Sequence, residues 1–208
     1  MALGQILFDF NGSVAQCDGL IANAHQTNGA GGPFLFPAVD RQQITVAAFL
    51  NLFIAWETFL ELSLSEFMTG NLTTNGTAPV KYVSPLHVEA AREFVIGVRP
   101  YFDYGNHENI RKVVRMFFQN GYPFEPHLSG IFSELSDLRT MRNASAHISS
   151  TTQTALESLA LRISGQPQAG ISLYQLLTMT DPRSVTGETV FLGYKNKLLV
   201  TAELISRG

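Results

Sequence analysis

The sequence is poor in cysteine and in charge and holds no long uninterrupted apolar run, and each shortage removes a class of protein. A single cysteine, Cys17, rules out an intrachain disulfide framework and points to a reducing compartment. Charged residues make up 15% of the chain against 45% apolar ones, which is low for a fully solvated surface, so some surface is expected to be buried against a partner. The net charge of -3 excludes a globally basic nucleic-acid binder; any contact with nucleic acid has to come from a local patch. The N-terminal stretch MALGQILFDF has no basic flank and contains Asp9, so no secretory signal is expected and a cytoplasmic location is. The most apolar segment, residues 44–64, is interrupted by Asn51, Glu57 and Glu61 and reads as a core helix rather than a membrane span. Neither H-x3-H nor C-x2-C spacing occurs, and Gly29, Gly31 and Gly32 form no phosphate-binding pattern, so neither a metal nor a cofactor is expected.

What is present is helical periodicity. At 208 residues the chain fits one domain, with a motif-bearing core over residues 40–165. No segment shows sustained strand alternation, and the expected fold is all-α, an antiparallel helical bundle of five to seven helices. A short helix is expected over residues 12–27, followed by the breaker run at 28–33. A long helix follows to about residue 68 with Asp40 as its cap; on it Phe49, Phe53, Trp56, Leu60, Leu64 and Phe67 recur at steps of three and four. Ser84-Pro85 reads as the start of a helix ending near Arg99, and Asn106 or His107 as the start of another, to Asn120, that stops at Gly121 and Pro123. From Pro126 a helical pattern with breaks continues to residue 163. Helices at 172–180 and 189–206 complete the chain, with 189–194 a candidate short strand.

The chemistry concentrates in the run Arg142-Asn-Ala-Ser-Ala-His147. Leu128, Ile131, Leu135 and Leu138 form an apolar stripe at steps of three and four, and its next position, 142, is an arginine. A guanidinium cannot lose its proton, so Arg142 either pairs with an acid or faces a polar cleft. Five residues on, His147 is the side chain best suited to move protons near neutral pH. Five helical positions turn the chain by about 140° from the starting residue. The two side chains therefore meet only if the helix breaks between them or if two copies of the chain build the site together. Ala144, Ser145 and Ala146 are small enough to let a helix or an RNA strand approach closely.

Arginine with histidine and no carboxylate cluster suits RNA cleavage, because RNA carries its own nucleophile, the 2′-hydroxyl. Histidine serves as general base or general acid and arginine holds the phosphate, leaving a 2′,3′-cyclic phosphate and a 5′-hydroxyl. Asn143 is a supporting residue that orients His147 or bonds a phosphate oxygen or base edge. Arg139, Arg111, Lys112 and Arg115 are candidate RNA-phosphate contacts, or else a solvated face. Glu57 is a candidate to orient Arg142 from behind, or else points to solvent. Read without chemistry, Arg142 snorkels to the surface or pairs with an acid such as Glu57, and His147 is a surface or hydrogen-bonded histidine.

The Arg-Asn-x3-His run resembles the R-x4-6-H signature of the HEPN superfamily, whose commonest form has Asn directly after the Arg. Trp56-Glu57 on the long preceding helix and Tyr101-Phe-Asp-Tyr before the helix at 107–120 also resemble prokaryotic HEPN proteins. The resemblance implies a metal-independent endoribonuclease acting as a homodimer with a composite active site, of the kind found in toxin–antitoxin and phage-defence systems. Arg142 and His147 would be catalytic, with Asn143 supporting, and an antitoxin or regulatory protein would be a partner. A non-catalytic HEPN-like module that binds a partner protein or nucleotide is the alternative. One branch of the family has a tyrosine two residues after the histidine that a partner enzyme modifies. Ser149 stands there in this chain, so the resemblance does not extend to that regulation.

Overall fold

Buried apolar residues recur every three or four positions along most of the chain, the spacing of one helical face, and that pattern dictates the architecture. The computed structural model describes residues 2–98, 100–147 and 149–208. Among the described residues the only regular structure is helical: α1 (Leu3–Ala24), α2 (Ala38–Thr69), α3 (Val88–Ile96), α4 (His107–Phe117), α5 (Phe124–Gly130), α6 (Phe132–Ala146), α7 (Ser150–Ser164), α8 (Leu173–Thr178), α9 (Val190–Arg207) and a 3-10 turn at Gln119–Gly121. The fold is all-α, as expected. The count exceeds five to seven because the stretch read as one broken helix from residue 126 is three separate helices.

Local chemistry explains where the boundaries differ from expectation. Helix α1 starts at Leu3 and not near residue 12, because Leu3, Ile6, Phe10, Val14 and Cys17 form one continuous buried stripe. Asp40 does not cap α2. It lies in the first turn, where its charge faces the positive end of the helix, and Pro37 supplies the first carbonyl, to Arg41. Ser84-Pro85 opens no helix; α3 begins at Val88, capped by His87, whose Nδ1 accepts from the Ala90 N–H at 3.2 Å. The pattern breaks at Ile131, which leaves helical geometry with φ -121° and ψ 29°, and again after Ala146. Residues 190–194 are the first turn of α9 and not a strand; a lone bridge between Thr180 and Thr189 precedes them.

The described residues form two units, whose boundaries fall inside α1, α2, α6 and α9. The first comprises residues up to Asn11, Ala55–Ser136 and Lys197–Gly208. Its core is aromatic: Phe10, Trp56 and Phe59 contact one another with ring centroids 5.3 to 6.0 Å apart, and Phe124 meets both Phe67 and Phe118. Helix α4 buries Ile110, Val113, Val114 and Phe117 against this core. Gly121 is required as the last residue of the 3-10 turn. It sits at φ 70°, and a β-carbon there would lie 2.7 Å from that of Glu125.

The second unit comprises Gly12–Ile54 and Asp137–Asn196. Helix α7 starts with a capping box in which Ser149 and Thr152 satisfy each other's backbone N–H, and it ends at Gly165 in the left-handed region. Its Leu156, Leu159, Ala160 and Ile163 are buried. Asp137 of α6 is buried and accepts a hydrogen bond from the Tyr194 hydroxyl of α9 at 2.6 Å and an ion-paired hydrogen bond from Arg162 of α7. Burial first, and the bond to Asp137 next, push the Tyr194 hydroxyl well above its ordinary value. By length and composition alone α2 meets the requirement for crossing a membrane, yet its Phe49, Leu52, Phe53, Trp56, Phe59 and Leu60 are buried within the protein.

Removing the Asp137 carboxylate leaves Tyr194 without its acceptor while the half-exposed Arg162 returns to water, so the cost arises mainly at the tyrosine. Asp137→Ala is expected to destabilise the protein by about 2 kcal/mol and Tyr194→Phe by about 1 kcal/mol, read from urea unfolding midpoints. Equal stability of Asp137→Ala and the wild type would refute the role assigned to this acceptor.

Candidate active site

The end of α6 places the motif. The apolar stripe runs through Leu128, Leu135, Leu138 and Met141, all buried, so Met141 takes the place the sequence pattern assigned to position 142. Arg142 stands beside the stripe and is half-buried. Among the described residues no acid forms an ion pair with it. Its Nη1 donates a long hydrogen bond, 3.4 Å, to Oδ1 of Asn143. The Asn143 side chain therefore meets the arginine, and its carbonyl meets the histidine: the His147 N–H donates to the Asn143 C=O at 3.0 Å. That bond closes the last turn of the helix, and the Ser145 hydroxyl donates to the Arg142 carbonyl at 2.6 Å within the same turn.

His147 lies outside the helix. Helix α6 ends at Ala146, Ser149 caps α7, and the histidine side chain in between is exposed. Helix α6 runs unbroken from Arg142 to Ala146 and the His147 N–H completes its last turn, so the helix ends after the step between the two residues and not within it. Ala144 and Ser145 are half-buried and Ala146 is exposed, so the strip between the two side chains is low in relief. The Thr152 hydroxyl donates to the His147 carbonyl at 2.6 Å. Neither Thr152 nor the Asp137 hub figures in the sequence-based site. The Ser149-x-x-Thr152 spacing is a legible capping signal, whereas partners 25 and 57 residues from Asp137 leave no local trace.

The remaining candidates are divided between the two units. Glu57 is half-buried on α2, in the first unit, next to the buried Trp56. Arg139 is half-buried one turn before Arg142. Arg111 donates to both oxygens of Glu125, at 2.6 to 3.1 Å, and Arg115 to one of them at 2.5 Å. The Arg111 guanidinium also lies 5.1 Å from the centre of the Phe132 ring. Two of the three candidate RNA-contacting cations on α4 are thus engaged by one carboxylate, and the exposed Lys112 has no ion pair among the described residues. Three other histidines hold structural contacts. His25 bonds the Ile21 carbonyl and Tyr174, His87 caps α3, and His107 is buried edge-on to Phe132. Among the described residues no group of three or more His, Cys, Asp or Glu side chains is placed to hold a metal ion.

No family model, no curated protein and no solved structure matches this chain.

Burial alone would raise the Glu125 carboxyl, but the hydrogen bonds from Arg111 and Arg115 outweigh it and hold the group below its ordinary 4.5. A carboxylate depressed in the folded state contributes stability above its unfolded value, and that contribution is lost as pH falls through the folded value. The wild type is therefore expected to lose stability relative to Glu125→Gln as pH falls below 4.5, with the difference largest near neutral pH. Urea midpoints of the two proteins at a series of pH values check this, and parallel curves would contradict it.

Proposed function

We propose that the protein is a metal-independent endoribonuclease of HEPN type that acts as a homodimer. The observation that carries this reading is the pairing of a half-buried arginine that no described acid neutralises with an exposed histidine placed just past the end of the same helix. An uncompensated guanidinium is suited to hold a phosphodiester and to stabilise the charge that builds on its oxygens in the transition state. An exposed imidazole is suited to take up and return a proton.

In the proposed reaction the 2′-hydroxyl loses its proton to a histidine, and the 2′ oxygen bonds to phosphorus. The bond to the 5′ oxygen breaks, and that oxygen leaves with a proton. The products are a 2′,3′-cyclic phosphate and a 5′-hydroxyl. In a homodimer the His147 of one copy serves as base and that of the other as acid, while the two Arg142 side chains share the phosphate. No metal is required, because the nucleophile belongs to the substrate. The setting is that of a cytoplasmic toxin or phage-defence effector restrained by an antitoxin or regulatory protein.

A second reading, a HEPN-like module that binds a protein without cleaving RNA, draws support from one feature. Phe34, Leu35, Phe36 and Val39 are 49%, 57%, 39% and 61% exposed on a single short segment. The two readings part on activity.

Purified protein incubated with total RNA in excess EDTA is expected to generate cyclic phosphate ends. Arg142→Ala and His147→Ala, first shown to be folded and of wild-type oligomeric state, are each expected to cut at least about 100-fold more slowly. Intact RNA with the wild type, or equal cleavage by all three proteins, would eliminate catalysis by this motif and leave the binding module.

A further inference from the structure

His147 occupies a break between two helices, where an exposed side chain ordinarily has a loosely held backbone. Its backbone is instead tied on both sides. The N–H donates to the Asn143 carbonyl at 3.0 Å, and the carbonyl accepts from the Thr152 Oγ1 at 2.6 Å. A hydroxyl has one proton. Of the acceptors within reach of Oγ1, the His147 carbonyl at 2.6 Å is nearer than the Ser149 carbonyl and Oγ, both at 3.1 Å, so the proton goes to His147. The lone pairs of Oγ1 remain free to accept from the Ser149 N–H at 3.1 Å. Thr152 thus grips the connector at two residues.

Thr152 is itself held. It sits in the first turn of α7, whose buried face packs through Leu156, Leu159 and Ile163. One residue later, Gln153 donates to the Ile171 carbonyl at 3.1 Å and to Glu157 at 3.0 Å, and Glu157 accepts from the Gly170 N–H at 2.7 Å. The start of α7 is therefore fastened to the segment before α8, and Thr152 passes that fixity to the histidine.

We propose that Thr152 is a positioning residue, which presents His147 to the substrate by fixing the carbonyl side of its backbone. The proposal rests on the ribonuclease reading. An imidazole that must meet a 2′-hydroxyl or a leaving oxygen within hydrogen-bond reach loses rate steeply when its backbone wanders.

Thr152→Val tests this cleanly, because it keeps the shape of the side chain and the residue-152 N–H that Ser149 Oγ caps. Only the Oγ1 bonds are lost. With the variant shown to be folded by its thermal melt, kcat for RNA cleavage is expected to fall at least about tenfold while KM stays within about twofold. Thr152→Ser, which restores the hydroxyl, is expected to retain at least about half of the wild-type kcat. Ser149→Ala removes the helix cap but leaves the Thr152 bond to His147, and is expected to melt earlier while cutting at a near wild-type rate. Order parameters from backbone carbonyl 13C relaxation, which report on the His147 carbonyl itself, give a readout independent of activity. His147 is expected to fall from a rigid value near 0.85 to below about 0.6 in Thr152→Val alone. Wild-type kcat in folded Thr152→Val, or an unchanged His147 order parameter, overturns the proposal. A wild type that leaves RNA intact sinks the ribonuclease reading instead, and the order parameter then decides by itself whether Thr152 fixes the histidine.

Discussion

A buried carboxylate has to be paired, and Asp137 meets that demand with partners from two other helices. Tyr194 reaches it from α9 and Arg162 from α7, while the carboxylate itself belongs to α6. Three helices of the second unit are thereby joined at one side chain that cannot be left unsatisfied without a penalty of kilocalories. Arg142 lies five residues further along α6, and His147 follows directly from the end of that helix. The placement of both motif residues therefore depends on an interaction that has no chemical role of its own.

From that hub the motif is built in two materials. Arg142 and Asn143 are helical, and their backbone geometry follows from α6. His147 is not helical and owes its place to single hydrogen bonds at either side. Asn143 serves both parts, with its side chain on the arginine and its carbonyl on the histidine N–H. This assigns the asparagine a narrower duty than the sequence suggests. Its amide oxygen is directed at the guanidinium and not at the imidazole.

The helical class of the fold was legible because periodicity is local: Phe49, Phe53, Trp56, Leu60 and Leu64 announce α2 from spacing alone, and all five are buried. The starts of α4 and α8 were legible for the same reason, since the caps that the structure places there, Asn106 and Ser172, each bond within their own turn. Boundaries that depend on tertiary burial were not. Gly12 does not interrupt α1, because the buried stripe on either side of it outweighs the propensity of one glycine. The stripe leading to Arg142 departs from the pattern at its last step: within α6 the step after Leu138 is three, to the buried Met141, and not four, to position 142. At the candidate site, the Arg142–His147 pair was visible as a run of residue types. The neutralisation of Arg111 and Arg115 by Glu125 was not, because it joins residues 14 and 10 positions apart on different helices.

The bond from the His147 N–H to the Asn143 carbonyl turns the motif's spacing into a ruler. It is the final backbone bond of α6, so the histidine stands one residue beyond the last helical position, and the number of residues between arginine and histidine is counted off by the helix itself. One residue inserted between Asn143 and His147 would hand that final bond to a different amide and advance the histidine by about 100° around the helix axis. The same insertion before Arg142 would turn the arginine and the histidine together, preserving their relation and changing only what the pair faces. Spacing within the motif and phase upstream of it are thus separate variables, one internal to the pair and one setting its aim.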